Sequence, residues 1–197
     1  MSLNWLLLCP EIIMTVLYQR IAGTAWWNVH EAVRKAHLCT KNLHAKGVFR
    51  VKHGRGRIVR CLAWLLRLPS PAEAVDIRLT VERLNQDERW IRSFGDRQLV
   101  TYQYEIGDGL LSERFGFLEF RFQLVIVDGA INYSQQEVGL RLGPWYLAIP
   151  RPIAPQVRAR EEPVPGRECS YVLVMVTLPL VGLLITYEGE LKLEEMV

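Results

Sequence analysis

Apolar and polar positions alternate one for one through much of the chain's second half. In AVDIRLTVERL, Ile77, Leu79 and Val81 oppose Asp76, Arg78, Thr80 and Glu82. In LEFRFQLVIVDGA, Phe120, Phe122, Leu124 and Ile126 oppose Glu119, Arg121 and Gln123. A period of two marks a strand with one buried face. LVTYQYEIGDG repeats it, with Val100, Tyr102, Tyr104 and Ile106 on one side. The Gly-Asp-Gly at 107–109 and the Asp-Gly at 128–129 supply the positive φ that hairpin turns require. ERWIRSFGDRQ, AINYSQQEVGLRL and APQVRAREE read as further strands, so turn signals predict roughly eight or nine in all.

The first part of the chain has a helical period. Leu17, Ile21, Ala25, Val29, Val33 and Ala36 recur at spacings of three and four, which predicts one helix over 14–38 or two joined near Gly23. A short strand, Ala45 to Val51, leads into HGRGRIVRCLAWLLRLPSP. There Ile58, Val59, Leu62, Leu65 and Leu66 share one helical arc, opposite Arg57, Arg60 and Arg67 with Trp64 beside them. With no βαβ alternation, a doubly wound sheet is excluded. The predicted fold is α+β: N-terminal helices and one inserted helix on a large, curved, mainly antiparallel sheet. Many meandering strands must curl to protect their edges, which points to a partial barrel with a concave apolar face. The prolines of GPWYLAIPRPIAP mark an irregular segment placed to line the mouth of such a cavity.

Two apolar stretches bear on membrane insertion. CSYVLVMVTLPLVGLLITY, Cys169 to Tyr187, has no charge and is long enough to span a bilayer. Its Val, Ile and Thr content, the Pro179 and Gly182 break, and the alternation of Leu183, Ile185, Tyr187, Leu191 and Leu193 instead predict two strands joined by a bend. The run Trp5 to Cys9 lacks the basic flank and cleavage site of a secretory signal. Residues 1–13 read as a poorly packed extension, with Met14 as the expected start of a single domain over 14–197.

At 197 residues, half of them hydrophobic and 23% charged, the chain can bury a substantial core. A net charge of +3 without basic blocks argues against a nucleic-acid partner. Cys9, Cys39, Cys61 and Cys169 are scattered, form no CxxC pair, and fit reduced thiols in a cytoplasm.

Candidate chemistry is sparse. Gly54-Arg55-Gly56-Arg57 resembles a phosphate loop, yet it lacks both the Gly-Lys-Ser/Thr ending and a third glycine. The glycines read as a sharp turn into the helix, with Arg55, Arg57, Arg60 and Trp64 forming a possible anion or membrane surface. His30, His37, His44 and His53 cluster in sequence without metal-site spacing, so neither metal nor cofactor is expected. His37 stands near a helix end, suited to capping or to acid/base work. Trp90, Arg92 and Phe94 share one strand face, where an arginine between aromatics can anchor a carboxylate or phosphate head. Glu113 and Arg114 point to opposite faces, so one of them joins Arg92; a buried Glu113–Arg92 ion pair is the other arrangement open to them. Tyr102, Tyr104, Phe120 and Phe122 complete the expected wall.

The segments LYQRIAG, HGRGRIVRCLAWLLRLP, ERWIRSFG, SERFGFLEFRFQL and LPLVGLLITYEGEL resemble, in order and spacing, a bacterial family known as domain of unknown function 4166. The likeness covers about residues 14–193, and its more specific parts are Trp90-x-Arg92-x-Phe94-Gly95 and Glu113-Arg114-Phe115-Gly116. The resemblance implies no activity or catalytic residue. It implies a domain found alone or attached to saccharopine-dehydrogenase-like proteins, hence a possible dehydrogenase-like partner. The chain departs from the family in the strongly apolar 169–178. Three functions follow as expectations: a non-catalytic domain binding a lipid-like or other hydrophobic small molecule; an enzyme using the same cavity, with His37 or Glu113 as acid/base; and a peripheral membrane or partner-binding module acting through residues 57–67.

Overall fold

The computed structural model describes residues 16–38 and 42–194. The N-terminal extension, the Met14 start, Cys9 and Cys39 lie outside the described residues.

The alternating segments form one antiparallel sheet. In chain order its strands are β1 (Asn42–His53), β2 (Ala72–Leu84), β3 (Asp87–Phe94), β4 (Arg97–Ile106), β5 (Leu110–Phe115), β6 (Leu118–Val127), β7 (Ala130–Leu142), β8 (Trp145–Ala148), β9 (Gln156–Pro163), β10 (Ser170–Leu178) and β11 (Gly182–Leu193). Eleven strands exceed the eight or nine expected, because the six-residue β5 and four-residue β8 are too short for the turn signals to separate, while β1 is simply longer than the predicted Ala45–Val51.

The ladder runs β6-β5-β4-β3-β2-β1-β11-β10-β9-β7-β8, and a further β6–β7 pairing joins its two ends. The sheet is therefore a closed barrel of ten strands, with β8 as an outer flap on β7. This corrects the partial barrel. Closure removes the exposed edges that an open sheet of this size must otherwise protect. The closing seam is uneven. β7 pairs with β9 only over Ile131–Tyr133 and with β8 over Gly139–Leu142. Between them, the Gln135 amide accepts from the Val157 N–H at 2.6 Å and donates to the Pro155 carbonyl at 2.9 Å. One side chain thus stands in for the missing rungs.

The residues 169–187 are β10 and β11, paired antiparallel through a turn at Pro179–Val181, as their alternation predicts. On the outer face of the apolar β10, Leu173 lies between Arg160 of β9 and Glu188 of β11 in the ladder, so charged neighbours flank it. No helix among the described residues is long and apolar enough to cross a membrane.

The N-terminal helix is broken more than its period suggests. It comprises α1 (Leu17–Ala22), a 3₁₀ turn (Gly23–Asn28) and α2 (Glu31–Lys35), with the break at Gly23 as expected. Leu17, Tyr18, Trp26 and Val33 are buried in the core, so these short pieces plug one end of the barrel. Nδ1 of His30, and not His37, caps α2 by accepting from the Ala32 N–H.

The opposite end carries α3 (Arg57–Leu65). Gly54 meets β11 so closely that a Cβ would stand 1.8 Å from the Leu183 carbonyl oxygen, and Gly56, at φ 117°, starts the helix. Both glycines thus have backbone reasons to be there. α3 buries Val59 and Ala63, with Leu62 and Leu66 packed against the core. Ile58 and Leu65, expected in the buried arc, are instead 63% and 65% exposed. At ~100° per residue the apolar arc spans roughly 160°, wider than the strip the barrel rim covers, and its edge at 58 and 65 remains outside.

Candidate functional site: an apolar chamber in the barrel

Strand alternation decides which side chains enter the lumen. Trp90, Arg92 and Phe94 of β3 all point inward, as their spacing predicts, together with Glu88. Opposite them in the ladder, β4 turns Leu99, Thr101 and Gln103 inward. Tyr102 and Tyr104 therefore face outward, which corrects their place in the expected wall. The Arg114 guanidinium stacks over the Tyr102 ring at 5.2 Å, and the Tyr104 hydroxyl donates to Glu119 at 2.6 Å. Arg114 faces away from the lumen by the same alternation, while Glu113, Phe120 and Phe122 face into it.

Inside, polar groups gather at the middle of the barrel. Arg92 donates from Nη1 to Thr101 Oγ1 at 2.9 Å and from Nη2 to Glu113 Oε1 at 3.3 Å. Its guanidinium also lies 5.0 Å from the Trp90 ring. Burial works against the Arg92 charge, but the Glu113 carboxylate and the Tyr187, Tyr18 and Tyr133 phenols together outweigh it, so the guanidinium pKa is raised. The two alternatives for this pair resolve into an ion pair across the lumen.

Toward the helical plug the lumen is nearly filled, leaving about 70 Å³. Tyr18 donates to Gln103 Oε1 at 2.9 Å and lies 3.2 Å from the Tyr133 hydroxyl. Burial, with a smaller push from neighbouring acidic groups, holds both phenols well above their ordinary pKa, so they remain protonated donors. The His37 ring stacks on Tyr18 at 3.8 Å and its Nε2 meets Glu161 Oε2 at 2.9 Å, while Ser170 donates to Glu161 Oε1 at 2.7 Å. His37 is fully enclosed. Each residue expected to act as acid or base is thus engaged: His37 with Glu161, Glu113 with Arg92. Neither helix geometry nor strand period announces Glu161 or Glu88 as interior charges; an acid among alternating polar positions looks the same whichever face is wet.

Toward the α3 end the lumen is hollow. A chamber of about 370 Å³ runs from the Arg92–Glu113 pair to the rim. Phe120, Phe122, Val174, Val176 and Leu184 form its walls, and Leu62 and Leu66 of α3 cover part of its opening. Pro155 reaches it from the proline-rich segment, as that segment's irregularity suggests. The exposed Leu65 and Phe117 also line the chamber, so they mark its mouth. Apart from Arg92, Thr101, Glu113 and the Tyr187 phenol, the lining is apolar. Among the described residues no group of three or more metal-ligating side chains converges.

Arg55, Arg57, Arg60 and Trp64 are all outside the chamber, exposed on α3 and the turn before it. Trp64 directly precedes the mouth residue Leu65 in α3, and the arginines are exposed to solvent.

The family model described as Domain of unknown function (DUF4166) matches residues 29–191. No curated protein and no solved structure matches the chain.

Proposed function

The chain belongs to the DUF4166 family, and from that premise we propose that the barrel is a non-catalytic binding domain for one hydrophobic small molecule with a compact polar head. The observation that carries this reading is the 370 Å³ chamber, apolar-walled and closed at its inner end by a single polar cluster. Its volume falls in the range of small-molecule sites, roughly 300–1,000 Å³. An apolar guest gains from leaving water, and the preformed walls need little reorganisation to receive it.

The polar floor restricts the head. Arg92 is already neutralised by Glu113, so a full anion arriving there would bring an uncompensated buried charge beside a carboxylate 3.3 Å from the guanidinium. A hydroxyl, amide or protonated carboxyl suits the pair better, because it can accept from Arg92 while donating to Glu113. This narrows the expected carboxylate or phosphate head to a neutral one carrying both donor and acceptor.

Native mass spectrometry of protein purified without detergent tests the reading. The expected result is a one-to-one adduct of an apolar molecule that is lost in Val176→Trp, whose indole occupies the chamber. An adduct retained at full occupancy in that variant would contradict it.

A further inference from the structure

The barrel's α3 end differs in surface chemistry from the rest of the molecule. The antiparallel register places α3, the Gly116–Phe117 turn, the β7–β8 turn, the 149–155 segment and the Pro179–Val181 turn all at this end. Trp64 is 76% exposed there and Trp145 77%. Leu180, at the tip of the β10–β11 turn, is fully exposed, and Ile58, Leu65 and Ile153 are each mostly exposed. Solvent-facing tryptophans and leucines on three separate segments of one end form no ordinary solvated surface.

The segments that carry this apolar tip hold basic charge alone, and an exposed acid of the same end, Asp96 in the β3–β4 turn, is paired with its neighbour Arg97. From His53 to Ala72 the sequence carries Arg55, Arg57, Arg60 and Arg67 and no acidic residue. Residues 143–155 carry Arg151 alone, and 178–182 carry no charge. Among the described residues none of these five arginines is in an ion pair. The chamber opens between these segments, at Leu65 and Phe117.

We propose that the α3 end docks on an anionic lipid bilayer, Trp64, Leu180 and Ile58 entering the interface while the arginines contact lipid phosphates, with the chamber's mouth turned toward the lipid. Resting on the binding reading above, this makes the bilayer the source or destination of the hydrophobic guest. The partner is set by complementarity: tryptophan and leucine suit the headgroup–acyl boundary, and unpaired arginines suit a negative surface. A second copy of the chain would bring the same arginines against one another.

Co-sedimentation with phosphatidylcholine vesicles, with and without phosphatidylglycerol, tests the proposal, and uptake of the neutral probe N-phenyl-1-naphthylamine from solution is measured in parallel. Binding should require the anionic lipid. It should weaken roughly 25-fold in Arg57→Gln/Arg60→Gln, at about fivefold per arginine, and fall with added salt. Trp64→Ser/Leu180→Ser should also abolish it. All four sites are exposed, so thermal melts of these variants should match the parent. Equal affinity for neutral and anionic vesicles, binding to neither, or self-association through Trp64 in place of vesicle binding would each overturn the proposal. Probe uptake reports on the chamber separately: uptake without vesicle binding removes the docking surface and leaves the binding reading, and vesicle binding without uptake does the reverse.

Discussion

Glu88 is a carboxylate inside a barrel, on the same inward face as Trp90 and Arg92 and accepting from Trp90 Nε1 at 2.9 Å. Burial raises its pKa, and the Trp90 hydrogen bond opposes this only in part. A raised folded-state pKa means that the native protein holds a proton the unfolded chain has lost. The contribution to stability is fully present below the unfolded value and is lost as pH rises through the folded one. Above the ordinary carboxylate range the Glu88 carboxyl therefore works against folding. Glu88→Gln keeps an acceptor for Trp90, so its melting temperature should exceed the parent's at pH ~7, and the gain should shrink in acid near pH ~4. Thermal melts across that range check this; a variant less stable at every pH would contradict it. The same inward face explains what is legible in the sequence at this scale. Trp90-x-Arg92-x-Phe94 can be placed on one side because a strand leaves no other option. Tyr102 and Tyr104 take the side opposite to the one expected because polar Thr101 and Gln103 occupy the inner face of β4, where Arg92 and Tyr18 satisfy them. Alternation says which residues travel together; it does not say which side is wet when the lumen holds a polar cluster.

At the scale of elements, the seam between β6, β7 and β8 is held from outside by a buried carboxylate. Glu119, fully enclosed, meets Arg141 Nε at 3.0 Å and Arg121 Nε at 3.4 Å, besides the Tyr104 hydroxyl. Arg121 in turn pairs with Glu137 at 2.7 Å and lies 3.7 Å over the Tyr146 ring of β8. Removing one partner of a buried charge pair leaves the others uncompensated, typically at 3–5 kcal/mol. Glu119→Ala should therefore lose about 3 kcal/mol or more in denaturant unfolding, whereas a loss near zero would mean that the seam is held by its backbone ladders alone. α3 is the element where sequence and structure part in an instructive way. Its position, its start at Gly56 and its partial burial are all readable, since each follows from local chemistry. That Ile58 and Leu65 stay outside depends on how much of the arc the barrel rim covers, which is a tertiary quantity. The glycines before it match no phosphate motif because they answer to β11 and to the backbone angle at Gly56.

For the whole molecule, closure is what turns a curved sheet into a container. It rests on the β6–β7 hairpin, on a β7–β9 ladder of only three residue pairs, and on the Gln135 amide. Turn signals reveal strands but not a joint this short between segments this far apart, so alternation reaches no further than the partial barrel. Packing then divides the lumen. Tyr18, His37, Trp26 and the helices fill one end, while the other keeps its 370 Å³ open. The proposed function stands on that asymmetry, and an equilibrium titration tests it most directly. N-phenyl-1-naphthylamine added to the native protein should bind saturably at one site, with the blue-shifted emission of an apolar surrounding, and Val176→Trp should abolish the signal while preserving the fold by circular dichroism. Absence of saturable binding to the parent, or equal binding to parent and variant, would contradict the account.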